Sequence, residues 1–123
     1  MILADTALWV DHLHRGDDRM QALLEAGEIV MHPHVLGEIA LGSLRNRAAV
    51  LRDLAAMPRV TMAAEDEVLD LIERHRLFGA GIGLVDAHLL ASALLTPDAG
   101  LWTRDRRLRE AAERLGVAGE PGR

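Results

Sequence analysis

The sequence predicts an α/β fold in three layers, a short parallel β-sheet covered by helices on both faces (α/β/α). Two observations carry this. Residues 1–4 are a continuous apolar run of strand length, as strands buried on both faces are, and further strand-length stretches stand at 28–32, 59–62 and 100–103. Between them lie longer stretches with helical periodicity, and strand–helix alternation of this kind builds parallel sheets with right-handed crossovers.

Each element has a local reason. Met1-Ile2-Leu3-Ala4 is an apolar strand that stops at Asp5. Asp5-Thr6 is placed to cap a helix running through Leu8, Trp9 and Val10 toward Leu13. Asp17 and Asp18 suit the start of a second helix, with Met20, Leu23 and Leu24 on its apolar face and Gly27 as its stop. After the strand at 28–32, His32-Pro33-His34 turns into a helix, because proline is tolerated in a first turn. That helix is expected to carry Val35, Leu36, Ile39 and Ala40 inward. A helix over 46–57 ends at Pro58.

A third strand is expected at 59–62. The helix from Ala64 has Glu65, Asp66 and Glu67 in its first turn, where the macrodipole favours acids. Val68, Leu71, Ile72 and His75 follow at i, i+3, i+4, i+7, which places His75 on the apolar stripe. A glycine-rich loop over 77–83 leads to a helix at 84–95 that is apolar almost all round and therefore buried. A strand at 100–103 and a helix at 105–115 complete the pattern, with Gly116-Val117 adding a short last strand. The chain shows neither repeats nor a linker, so one domain over 1–117 is expected, with 118–123 as a flexible tail.

Composition excludes several chemistries. The 123 residues are half hydrophobic, enough for a core without staples. There is no Cys, so disulfides, thiolate metal sites and a Cys nucleophile are out. All 14 basic residues are Arg. Without Lys there is neither a Walker-type phosphate loop nor Schiff-base chemistry. No apolar run reaches membrane-spanning length and the N-terminus lacks a signal-peptide pattern, so a cytoplasmic protein without membrane association is expected. The net charge of −5 is opposite to that of most nucleic-acid binders, and bound cations would offset it.

Topology then groups four acids. Asp5 lies at the carboxyl end of the first strand, and Glu38 early in the helix that leaves the second. Asp105 lies just past the strand at 100–103. The helix at 84–95 ends where that strand begins, so it starts at the carboxyl edge with Asp86 in its first turn. Open α/β sheets bind ligands at this edge. Alone, Asp5 serves equally as a helix cap, Asp86 as dipole compensation and Asp105 as a cap. Together, four carboxylates call for hard divalent cations, Mg²⁺ or Mn²⁺. Such ions could activate a water and stabilise the leaving oxygen of a phosphodiester.

The chain resembles the PIN-domain ribonucleases, most closely the small VapC-type toxins of type II toxin–antitoxin pairs. The marks are Leu3-Ala4-Asp5-Thr6 with Leu8-Trp9-Val10, then Gly37-Glu38-Ile39-Ala40-Leu41-Gly42, Gly81-Ile82-Gly83-Leu84-Val85-Asp86-Ala87-His88, and Leu101-Trp102-Thr103-Arg104-Asp105. The resemblance runs from residue 1 to about 117. It implies a PIN-like fold and a Mg²⁺- or Mn²⁺-dependent endoribonuclease that hydrolyses RNA with metal-activated water. It also implies a homodimer and a cognate VapB-like antitoxin. Asp5, Glu38, Asp86 and Asp105 match the family's acidic positions and become the expected catalytic residues and metal ligands. Thr6 and Thr103 match polar positions beside them. Ala7 stands where many relatives carry a hydroxyl.

Other features are weighed against this. The glycines at 79, 81 and 83 lack the spacing and the preceding strand of a dinucleotide loop. No pair of the six histidines has convincing zinc-ligand spacing. Arg104, Arg106 and Arg107 sit beside the acid edge and are candidates for RNA phosphate contacts, with a solvated, ion-paired face as the alternative. Two other classes stay open: a catalytically silent PIN-like binding module acting through a partner, and an aspartyl phosphotransfer enzyme using Asp5. The second lacks the usual Asp two residues on, since that place is Ala7, and lacks a Lys.

Overall fold

A computed structural model describes residues 1–121. Three parallel strands, β1 (Ile2–Ala4), β2 (Ile29–Val30) and β3 (Gly100–Trp102), form a sheet in the order β2-β1-β3. Ile2 and Leu3 pair with Ile29 and Val30 on one side, and residues 2–4 pair with 100–102 on the other. Seven helices surround it among the described residues: α1 (Thr6–Arg15), α2 (Asp18–Glu25), α3 (Pro33–Leu41), α4 (Arg47–Ala55), α5 (Glu65–Arg74), α6 (Leu84–Leu95) and α7 (Arg106–Arg114). β1 is central, so the edge at which Asp5 emerges is flanked by both neighbours.

Burial follows the apolar pattern. Leu3, Leu8, Trp9, Met20, Val35, Leu90, Leu101 and Leu108 are almost wholly enclosed. α6 is buried from Ala87 to Ala93, as its all-round apolar sequence predicts. α1 is capped by Asp5 and α2 by Asp17, whose carboxylate accepts from the Arg19 and Met20 N–H groups. α3 begins with Pro33 after His32, and Val35 and Ile39 are its buried residues.

Three expectations change. The strand at 59–62 is a single bridge between Met31 and Arg59, held by Met31 N–H to Pro58 O and Val60 N–H to Met31 O. It goes no further because the next ladder donors on either side would be Pro33 and Pro58, which have no N–H. His75 is exposed: α5 stops at Arg74, so His75 leaves the stripe as the C-cap. The tail begins later than residue 118, since Ala118 bridges Leu101 and the Gly119 N–H reaches Leu101 O at 2.9 Å. Two glycines permit this close approach, for a Cβ on Gly100 would lie 2.8 Å from Gly119 Cα. Residues 122 and 123 of the expected tail lie outside the described residues.

Candidate active site

Asp5 ends β1 and caps α1. One carboxylate oxygen accepts from the Leu8 N–H at 3.3 Å, and the other accepts a short bond from the Thr103 hydroxyl. Both Asp5 and Thr103 are buried. Burial pushes the Asp5 carboxyl above its usual pKa; the two hydrogen bonds oppose that, and the nearby Asp105 charge adds to it. The Thr103 hydroxyl also accepts from the Asp105 N–H at 3.0 Å. One threonine thus fixes the acid on β1 to the turn that carries the acid before α7.

Asp105 caps α7 through its Oδ1, which accepts from the Leu108 N–H at 3.1 Å. Asp86 lies in the first turn of α6, and its Oδ2 accepts from the Gly83 N–H at 3.2 Å. Burial raises the Asp86 pKa; the Gly83 bond works against it, and the charges of Asp105, Asp5 and Glu38 push it further up. The four sequence-predicted acids therefore share one electrostatic neighbourhood. Glu38 accepts from the Thr6 hydroxyl at 2.5 Å. Thr6 and Thr103 are thus direct hydrogen-bond partners of Glu38 and Asp5.

The donor set is all carboxylate, which suits a hard divalent cation; Asp5 and Asp86 are raised first by burial and further by neighbouring acids, and a bound cation would relieve both. Among the described residues no three Asp, Glu or His side chains are grouped closely enough to hold a metal ion, and Leu8, Leu108 and Gly83 N–H groups and the Thr6 hydroxyl each bond one of the four carboxylates.

The arginines divide. Arg104 turns away from the role expected of it and bridges Asp11 (2.5 Å) and Asp17 (2.9 Å), tying the α7 entry to α1 and α2. Arg106 pairs with Glu110 one turn along at 3.1 Å on an exposed face, the solvated alternative. Arg107 lies across the glycine-rich loop: a Cβ on Gly81 would come within 2.9 Å of three of its atoms. Gly81 also has φ +78°, the left-handed backbone that favours glycine, and a side chain there would displace Arg107.

Sequence reasoning missed a histidine cluster between α3 and α6. His32 is fully buried, and its ring lies 3.2 Å from Ser92 Oγ by Nε2 while Nδ1 accepts from the His34 N–H at 2.9 Å. The His34 and His88 rings meet edge to face with centroids 4.5 Å apart. Burial, and then the neighbouring His34 and His88, lower the His32 pKa to about 4. The signal available was His32-Pro33-His34 at a helix entry together with a lone His88 in an apolar helix.

Comparison with known proteins agrees with this geometry. The PIN domain family model matches residues 2–114. The chain belongs to the PIN domain family. It is 48% identical over 118 residues to Ribonuclease VapC32 of Mycobacterium tuberculosis strain CDC 1551, covering 96% of this chain and 95% of that protein. The same figures hold for Ribonuclease VapC32 of strain H37Rv. This PIN domain has the helix-flanked parallel sheet expected of it, and among the described residues no helix is long and apolar enough to cross a membrane.

Proposed function

We propose that this PIN domain is a metal-dependent endoribonuclease, the toxin of a toxin–antitoxin pair, with its site at Asp5, Glu38, Asp86 and Asp105. The observation that carries the reading is the convergence of four acids from four separate stretches of chain: the Thr103 hydroxyl joins Asp5 to the Asp105 turn, and the charges of Asp105, Asp5 and Glu38 act on Asp86. The near full-length identity to a ribonuclease supports the reaction class.

A bound Mg²⁺ or Mn²⁺ would supply the positive charge that lets an anionic RNA phosphate approach four carboxylates and that polarises an attacking water. The chain's own contribution is placement. Asp5 is held at both oxygens, so it cannot rotate away as the acids repel one another. Asp86 and Asp105 each spend one oxygen on a helix cap, which leaves the other to face a ligand. Asp5, Asp86, Glu38 and Asp105 would hold the ion. Arg107 is the arginine placed to meet an RNA phosphate, since Arg104 and Arg106 are engaged by carboxylates. The partners of this function are RNA, a small VapB-like antitoxin and a second copy of the chain, and its setting is the cytoplasm.

The test is cleavage of structured RNA by purified protein with Mg²⁺ or Mn²⁺, then with EDTA, in wild type and Asp5→Asn. Loss of cleavage in both EDTA and the variant is expected. Equal cleavage by wild type and Asp5→Asn would remove the assigned mechanism.

A further inference from the structure

Two contacts between the α3 entry and α6 occur in reverse chain order. His32, just before α3, meets Ser92, and His34, in its first turn, meets His88, which directs Glu38, one turn further along α3, toward the N-terminal end of α6, where Asp86 lies. Moving forward along α3 is therefore moving backward along α6, so the two segments pass antiparallel. α3 packs chiefly on α1 and α4, and α6 on α5 and β3. The imidazoles are what bridges the helix of Glu38 to the helix of Asp86.

We propose that His32, His34 and His88, with Ser92, are positioning residues: a ladder of rings that sets the register of α3 on α6 and so brings Glu38 level with Asp86. This rests on the reading of the four acids as the metal site.

Three observations support a register device over plain filling. First, the His32 bond to Ser92 joins residues sixty apart at a buried point, and a buried donor there permits one partner, not a range of them. Second, the same His32 ring accepts from the His34 N–H, so it fixes the α3 start and the interhelix contact together. Third, Glu38 sits in the last turns of α3, before the Gly42 C-cap, where the helix dipole gives an acid no support. Its position must come from elsewhere, and the ladder and Thr6 are what the structure provides. A slip of one turn along α6 would move Glu38 by about 5.4 Å, farther than a shared ion can tolerate.

The experiment compares His34→Ala, His34→Phe and Asp86→Asn. His34 is only partly buried, so these chains should fold. Mn²⁺ binding is measured by the loss of the free-ion EPR signal, and the Glu38–Asp86 carboxylate separation is measured in metal-free crystal structures. His34→Ala should bind Mn²⁺ at least tenfold more weakly than wild type and show an altered separation. His34→Phe, which keeps a ring but no nitrogen, should restore both. The proposal is overturned if His34→Ala matches wild type in separation, or if His34→Phe is as impaired as His34→Ala, which would make the imidazole nitrogen itself the active group. Wild-type-like Mn²⁺ binding by Asp86→Asn would instead defeat the metal-site reading, and the carboxylate separation would still decide the ladder.

Discussion

Replacing Asp86 by Asn should stabilise the metal-free protein while destroying its response to metal. Asn keeps an oxygen to accept from the Gly83 N–H, so the cap at the start of α6 survives. What disappears is a carboxylate whose folded pKa is raised by burial and by Asp105, Asp5 and Glu38. Each unit of such a raise costs the ionised fold about 1.4 kcal/mol. The lost attraction to the α6 N-terminus gives back about 0.5 kcal/mol. For this half-buried group the balance favours the variant at neutral pH, so in EDTA it should melt above wild type. The sign fixes the pH window. A raised acid favours the fold below its unfolded pKa of 3.8, and the benefit is lost as pH rises through the folded value. The gain in Asp86→Asn should thus vanish below the unfolded pKa of 3.8 and grow as pH rises through the folded value. Addition of Mn²⁺ at about a hundred times its Kd would stabilise wild type by ~2.7 kcal/mol and the variant hardly at all. Melting curves in EDTA and in Mn²⁺ should therefore cross over, the variant leading in the first and wild type in the second. A variant that melts below wild type in EDTA at pH 7 would refute the account of mutual repulsion.

Three further outcomes follow from the same geometry. Thr103→Val, which keeps the shape but removes the hydroxyl shared by Asp5 and the Asp105 N–H, should cost about 2–3 kcal/mol in denaturant unfolding and most of the RNA cleavage, whereas Thr103→Ser should retain both. Arg104→Ala breaks two exposed ion pairs and should cost under about 1 kcal/mol with little change in KM, while Arg107→Ala should raise KM for RNA at nearly constant kcat; steady-state kinetics separate them, and the reverse pattern would restore Arg104 as the phosphate contact. His32, with a folded pKa of about 4 against 6.5, favours the fold above pH 6.5 and loses that contribution as pH falls toward 4, up to about 3 kcal/mol; urea midpoints should show a fall over that range that is weakened in His32→Asn.

How much of this was legible in the sequence depends on whether a residue's role is local. Asp5, Asp17 and Asp105 each sit one residue before a helix, and their capping is written in the adjacent chain. The strands β1 and β3 were readable because a continuous apolar run with a helix on each side has few other solutions. The strand at 59–62 was over-read because pairing depends on a partner: β2 is two residues long, and Pro33 and Pro58 lack the N–H groups that would extend the bridge. Arg104 looked like a phosphate contact for the same reason, since its Asp11 and Asp17 partners are 93 and 87 residues distant. Topology grouped the four acids at one edge from the strand ends and helix starts, but it placed Glu38 early in its helix. It lies near the end of α3, and contacts across to α6 account for its level.

Capping and catalysis looked like competing explanations for these acids, and the structure makes them one arrangement. In a parallel sheet flanked by helices, each strand delivers the chain to the same edge, and helices begin there. A carboxylate at such a start is held by an N–H group and sits in the positive end of a dipole. Asp5 before α1, Asp86 in the first turn of α6 and Asp105 before α7 are all of this kind. Three helix N-termini therefore offset part of the repulsion that gathering acids creates, and the caps are what makes the gathering affordable. Glu38 is the exception, an acid late in its helix with the dipole against it. It is held by the Thr6 hydroxyl and set by contacts between helices instead of by a cap. The site should accordingly be most fragile at Glu38: substitutions on α3 or in the histidine cluster should weaken metal binding while leaving the three capped acids in place.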